Sequence, residues 1–142
     1  MSDCVFCALV AGTAESSRVY EDDILVGLMD LQPVNPGHVL LIPRQHAVHM
    51  SDLDEETGAH AFRIAMWMQR AIRRSGVRCE GVNLFVADGE AAFQDVFHFH
   101  LHVIPRFQGD SFKIDADWQE APRAELDCVA GDIRTAYEGL WR

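Results

Sequence analysis

Apolar and polar residues alternate with two different periods along this chain, and the switches between them outline its elements. Residues 18–30 (RVYEDDILVGLMD) read as two short strands around a polar Glu-Asp-Asp turn. QPVNPGH then turns the chain, and residues 38–43 (HVLLIP) form a mostly apolar strand closed by Pro43. Ser51 and Asp54 have capping-box-like spacing ahead of a helix predicted from about residue 54 to 75. Phe62, Ala65, Met66, Gln69 and Ile72 follow its helical spacing, apolar except for Gln69. Residues 81–88 (GVNLFVAD) predict the next strand, and a further strand follows a loop containing Gly89. Pro122 suits the first turn of a last helix, with Leu126, Val129, Ile133, Tyr137 and Leu140 as its apolar stripe. Strands adjoin strands without a regular βαβ alternation, which predicts an α+β domain with a mostly antiparallel sheet.

The strand after Gly89 carries the most unusual pattern. Residues 97–106 read FHFHLHVIPR, with His98, His100 and His102 at every second position. Side chains alternate between the faces of a strand, so the three imidazoles share one face. Phe97, Phe99, Leu101 and Val103 then point to the other face, toward a core. A chance polar face is a poor account of the pattern, because histidine has only modest strand preference.

Composition narrows the setting. A chain of 142 residues, 49% hydrophobic and 24% charged, is one ordinary globular domain with room for a core. No apolar run approaches the roughly 20 residues of a membrane span. The start, MSDCVFCALVAG, lacks the basic region of a signal peptide, so residence in the cytoplasm is expected. A net charge of −10 without any basic stripe argues against a nucleic-acid partner. It also means that an anionic substrate needs local help from amides, a metal or imidazolium. Cys4 and Cys7, two residues apart, are a common half of a zinc site that needs two more ligands, with His46, His49 and His98 as candidates. Cys79 and Cys128 have no such spacing and read as packing residues, and His60 reads as an exposed helical residue.

Residues 98–104 (HFHLHVI) match His-φ-His-φ-His-φ-φ, where φ is apolar, and on this signature the chain is identified as a member of the histidine triad (HIT) superfamily. It resembles bacterial Hint-like nucleotide hydrolases that carry a CxxC zinc site. Asp30, the PGHVLLIP stretch, Gln94 and the GVNLFVADGE segment fall in family order over residues 4–110. Residues 111–142 resemble the C-terminal extension of bacterial members. The resemblance implies one HIT domain over residues 1–142, with a mostly antiparallel five-stranded sheet, one long helix and a C-terminal helix.

It also implies a nucleotidyl hydrolase or transferase, cleaving at the α-phosphate of an AMP-type purine nucleotide conjugate such as a nucleoside phosphoramidate or a dinucleoside polyphosphate. On that resemblance His100 is the nucleophile and a nucleotidyl-histidine the intermediate. An ordinary imidazole is largely neutral near pH 7, and a covalent intermediate splits one hard displacement into two easier ones. His102 would serve the phosphate oxygens, and His38 would support the triad's orientation and tautomers. Asp30 would accept the ribose hydroxyls, and Val5, Phe6, Leu9, Leu28, Met29 and Leu31 would wall the base. Backbone amides near Gln94 and Asp95 would face the phosphate. Cys4, Cys7, His46 and His98 would hold a structural zinc ion, and the protein would be a homodimer joined through its sheets and long helix.

Three positions depart from the family pattern: Phe93 where glycine is frequent, Asp95 where a small hydroxyl is usual, and Ala87 where an amide side chain often contacts phosphate. Asp95 would either turn away from the phosphate or hold a proton for the leaving group. These departures keep open a second class, a nucleotide-binding or partner-binding protein with weak or vestigial hydrolase activity.

Overall fold

Among the described residues, five antiparallel strands form one sheet: β1 (Arg18–Glu21), β2 (Leu25–Met29), β3 (Val39–Pro43), β4 (Gly81–Phe85) and β5 (Leu101–Arg106), in the order β1-β2-β3-β5-β4. The computed structural model describes residues 3–141, and these fall into two compact units, one ending at Phe112 and the other starting at Lys113. In the first unit a long helix, α2 (Glu55–Arg74), covers one face of the sheet and a short helix, α1 (Val5–Ala11), covers the other. Leu25, Val39, Leu41, Leu101 and Val103 meet Ala61, Ile64, Ala65, Met68 and Ile72 of α2. The alternate residues Val26, Leu28, Leu40 and Ile42 meet Phe6 and Val10 of α1. β3 is therefore buried on both faces, which is why it reads as a continuous apolar run rather than an alternation.

Several elements differ from the sequence expectation. No helix was expected at residues 5–11; it closes at Gly12, whose φ of 77° is a conformation that glycine adopts freely. The face that α2 buries is one residue out of phase with the predicted stripe. Ala61, Ile64, Ala65, Met68 and Ile72 are buried, while Phe62 and Met66 remain 56% and 45% exposed. The helix has apolar residues on two adjoining faces, so periodicity alone could not choose between them. Its N-cap is Asp54, which accepts from the Thr57 amide at 3.1 Å. The reciprocal capping falls on His49 and Asp52 of the preceding 3-10 turn, not on Ser51. β4 ends at Phe85, three residues before its predicted end. Phe97 is 46% exposed instead of facing the core. His60 is not a solvent-facing helical residue, because its Nε2 lies 2.6 Å from Asp22 Oδ2.

In the second unit α3 spans Arg123–Gly139 with Pro122 as its N-cap. The predicted stripe of Leu126, Val129, Ile133, Tyr137 and Leu140 is exposed throughout. Among the described residues no helix is long and apolar enough to cross a membrane.

Candidate functional site

The three histidines do not occupy one regular strand. β5 begins at Leu101, so only His102 sits in the ladder, opposite Leu40 on β3 and Phe85 on β4. His98 and His100 lie in the lead-in to β5, and both are buried. All three rings nevertheless adjoin groups that dictate which nitrogen carries a proton. A carbonyl only accepts and a backbone N–H only donates. His98 Nε2–H donates to the Pro43 carbonyl at 2.8 Å, which leaves Nδ1 with its lone pair. His100 Nδ1–H donates to the His98 carbonyl at 2.7 Å, which leaves Nε2 with its lone pair. The Val34 amide donates to His38 Nδ1 at 3.0 Å, so His38 carries its proton on Nε2 and donates it to His102 Nδ1 at 2.9 Å.

The turn that delivers His38 has its own supports. Gly37 has φ of 94°, and a Cβ there would lie 2.8 Å from Val77 Cγ1, so the Pro36-Gly37 turn requires glycine. The buried Asn35 carbonyl accepts from the His38 amide at 3.1 Å. Its side-chain amide donates to the Pro105 carbonyl at 2.9 Å and to Asp110 at 2.8 Å. Arg106 grips Asp110 with two hydrogen bonds of 2.6 and 2.7 Å. Sequence reasoning missed this brace. A polar residue beside the PGH turn was the available signal, but its partners lie 70 or more residues away.

A cavity of about 290 Å³ opens beside these rings. Val5, Phe6, Leu9, Leu28, Met29 and Leu31 form its apolar part together with Leu40 and Val96, and Asp30, Asp95, His100 and His102 line it as well. Glu15, Ser16 and Gln32 join them, none of which was anticipated. Gln94, expected near the phosphate, is instead buried and spent on the loop. Its Oε1 accepts from the Gly89 amide at 2.8 Å and its Nε2 donates to the Val48 carbonyl at 2.9 Å. Asp95 Oδ1 accepts from the Val96 amide at 2.9 Å. Ala87 is buried, and Phe93 is exposed in a left-handed conformation with φ of 69°.

Burial favours the neutral form of His38, His98 and His102. It pushes His102 down to about 4, helped by neighbouring His100 and His38 and opposed by Asp30 and Asp95. His38 is lowered by burial against the opposing charge of Asp30, whose Oδ2 lies 3.5 Å from Nε2. His98 is lowered chiefly by burial as well. A larger cavity, about 620 Å³ and almost wholly apolar, lies between α2 and the β1–β2 side of the sheet, away from this chemistry.

Cys4, Cys7, His46 and His98 bring four ligand atoms within 4.8 Å of one another. Cys7 Sγ lies 3.2 Å from His46 Nδ1, and Cys4 and Cys7 Sγ lie 3.5 and 3.6 Å from His98 Nδ1. A tetrahedral zinc with ordinary Zn–S and Zn–N bonds spaces its sulfur and nitrogen ligands about 3.5 Å apart. The His98 ring offers its lone pair on the inward side and donates its other N–H to a carbonyl, the usual outer support of a metal-bound histidine. This donor set fits zinc. His49, the other candidate, instead pairs with Asp88 at 2.9 Å. Asp30, His38 and His102 also converge within 4.8 Å. There the shared proton on His38 Nε2 occupies the place a metal would need, so the group is a hydrogen-bonded relay.

A model of the HIT domain matches residues 11–109. The chain is 39% identical over 111 residues to an uncharacterised HIT-like protein of Mycobacterium tuberculosis, covering 78% of this chain and 76% of that one. It is 32% identical over 110 residues to an adenylylsulfatase of Arabidopsis thaliana, covering 77% of this chain and 55% of the relative. Among solved structures, a zinc-bound histidine triad family protein from Mycobacterium smegmatis shares 39% identity and a TM-score of 0.74, over 94% of this chain and 97% of that one. With the triad, its supporting fourth histidine and this likeness together, the chain belongs to the HIT domain family.

Proposed function

We propose that the protein is a nucleotidyl hydrolase or transferase that cleaves purine nucleotide conjugates at the α-phosphate. One observation carries this reading. His100 lines the cavity with its Nδ1 proton tied to a backbone carbonyl, so its other nitrogen is a lone-pair nucleophile. In the first step Nε2 forms a bond to the α-phosphorus while the bond to the leaving group breaks, and the leaving group takes a proton. In the second step water attacks the same phosphorus and gives up a proton, which balances the one taken by the leaving group, as the P–N bond breaks and His100 returns. Neutral His102 accepts from His38 on Nδ1 and therefore carries N–H on Nε2, a donor for a phosphate oxygen. Asp30 accepts the ribose hydroxyls, and the apolar wall takes the base.

Cys4, Cys7, His46 and His98 hold a structural zinc, which joins the N-terminal segment to the catalytic one. Reduced thiolate ligands suit the cytoplasm. Residues 4–110 form the catalytic core, and residues 111–142 form an extension of it. β4 is an edge strand, and Phe62, Met66 and Trp67 of α2 are exposed; both suit a homodimer, which light scattering at micromolar concentration checks.

Replacing His100 by Asn or Ala tests the mechanism. Turnover should fall by about a thousandfold or more, with nucleotide binding retained. A variant that keeps more than about a tenth of the wild-type rate would refute it. The second reading, a nucleotide binder with weak hydrolase activity, draws on Asp95, whose carboxylate already occupies the Val96 amide at the cavity. Tight AMP or GMP binding without turnover of any adenylated or guanylated compound would favour it.

A further inference from the structure

The nucleotide reading leaves the base unspecified, yet the cavity holds polar residues with no role in it, Glu15 and Ser16 among them. Glu15 and Ser16 lie in the loop between α1 and β1 and line the same cavity as Leu9, Leu31 and Asp30. Their placement follows from the sheet. The Ser17 carbonyl accepts from the Met29 amide at 2.9 Å, so the chain entering β1 runs beside the chain leaving β2. Residues 15–16 therefore flank residues 30–32, at the sugar-and-base end of the cavity. Arg18, the nearest cation along the chain, is committed elsewhere: Nη1 binds Glu21 and Nη2 donates to the Leu9 carbonyl. Glu15 is exposed and lines the cavity as an acceptor.

We propose that Glu15, assisted by Ser16, reads the base and makes this site prefer guanine to adenine nucleotides; the proposal rests on the nucleotide reading above. The Watson–Crick edge of guanine presents two adjacent donors, N1–H and N2–H, beside the O6 acceptor. An ionised carboxylate only accepts, and its two oxygens match two parallel donors. The Ser16 hydroxyl donates to O6. Adenine presents a lone pair at N1 between a donor at N6 and a bare C2–H, so the same carboxylate faces a lone pair and gains at most one hydrogen bond. Both bases stack equally well on the apolar wall, so that wall supplies affinity and Glu15 supplies the choice. A site built to satisfy a substrate's hydrogen bonds discriminates against the analogue that lacks them more strongly than an apolar pocket does.

Calorimetry with GMP, IMP and AMP on the zinc-loaded protein tests this. Wild type should bind GMP about tenfold more tightly than AMP, with IMP, which has N1–H but no N2 amine, in between. Glu15→Gln should bring GMP to within about twofold of AMP, with AMP binding held or tightened. Equal binding of GMP and AMP by wild type, or an unchanged ratio in Glu15→Gln, would overturn the base assignment alone. Failure of wild type to bind any of the three would overturn the nucleotide reading and this assignment with it.

Discussion

Acid should weaken this fold through His102, and the size of the loss follows from its surroundings. Half-buried beside His100 and His38, the ring takes up a proton only near pH 4 in the folded chain, against about 6.5 when unfolded. Between these values the unfolded chain holds one more proton than the folded one, so stability rises with pH and is lost on acidification. Integrating the linkage from pH 7 to pH 5 gives a loss of about 2 kcal/mol from this group alone. His38, also lowered, adds a loss of the same sign. His102→Asn isolates the contribution, because its side-chain oxygen can still accept from His38 Nε2–H but does not titrate. Urea denaturation of both zinc-loaded proteins at pH 7 and pH 5 measures it. The variant should lose about 2 kcal/mol less than wild type over that interval. Equal losses in the two proteins would refute the claim that a neutral imidazole is buried at this position.

Further substitutions probe other parts of the molecule. Protein purified without chelator should carry close to one zinc per chain, and Cys4→Ser with Cys7→Ser should lose it and melt at lower temperature, read by elemental analysis and calorimetry. Because the His98 carbonyl holds the His100 proton, the same variant should also slow turnover. Phe93 sits at φ of 69° and is 83% exposed, so Phe93→Gly should stabilise the fold by up to about 1 kcal/mol in urea denaturation, relieving the left-handed strain without loss of packing. Asp95→Ser frees the Val96 amide and removes a negative charge from the cavity, so kcat/KM for an adenosine or guanosine phosphoramidate should rise or hold. A drop of about tenfold, confined to poor leaving groups and shared by Asp95→Asn, would instead assign Asp95 as a proton donor.

Much of this was legible because local chemistry and global fold agree. The paired strands around the Glu-Asp-Asp turn, the apolar run of β3 and the span of α2 all follow from short-range pattern. The Cys2His2 group was legible only with the family's help, since spacing alone left His46, His49 and His98 open. What escaped depends on distant partners. α1 is seven residues long and owes its helicity to the sheet face it covers, which no isolated segment of that length could supply. The phase of α2 was ambiguous because Phe62, Met66 and Trp67 form a second apolar face. Gln94 had the right position for a phosphate contact, but the loop's unpaired backbone groups claimed its side chain. Phe93 was legible as a departure from a family glycine, but its physical reason, a left-handed turn, is visible only from the backbone.

The alternation of histidines does not by itself make a nucleophile, because three equivalent imidazoles would be free to exchange tautomers. Two hydrogen-bond lines remove that freedom, and they run with opposite polarity. One starts at the Val34 amide and passes through His38 to His102, so that His102 must accept on Nδ1 and carry its proton on Nε2. The other runs from the Pro43 carbonyl through His98, whose own carbonyl then takes the His100 Nδ1 proton and leaves Nε2 bare. Neighbouring rings whose centroids lie 4.8 Å apart thus differ in character, one with a bare lone pair and the other with an N–H donor, as the proposed attack on phosphorus requires. The zinc group belongs to the second line, since His98 can offer Nδ1 to the metal only while Nε2 keeps its proton on Pro43. On the proposed mechanism, metal binding and the nucleophile's tautomer are therefore set by the same residue, and a change at Cys4 or Cys7 should reach His100 through the orientation of one peptide group.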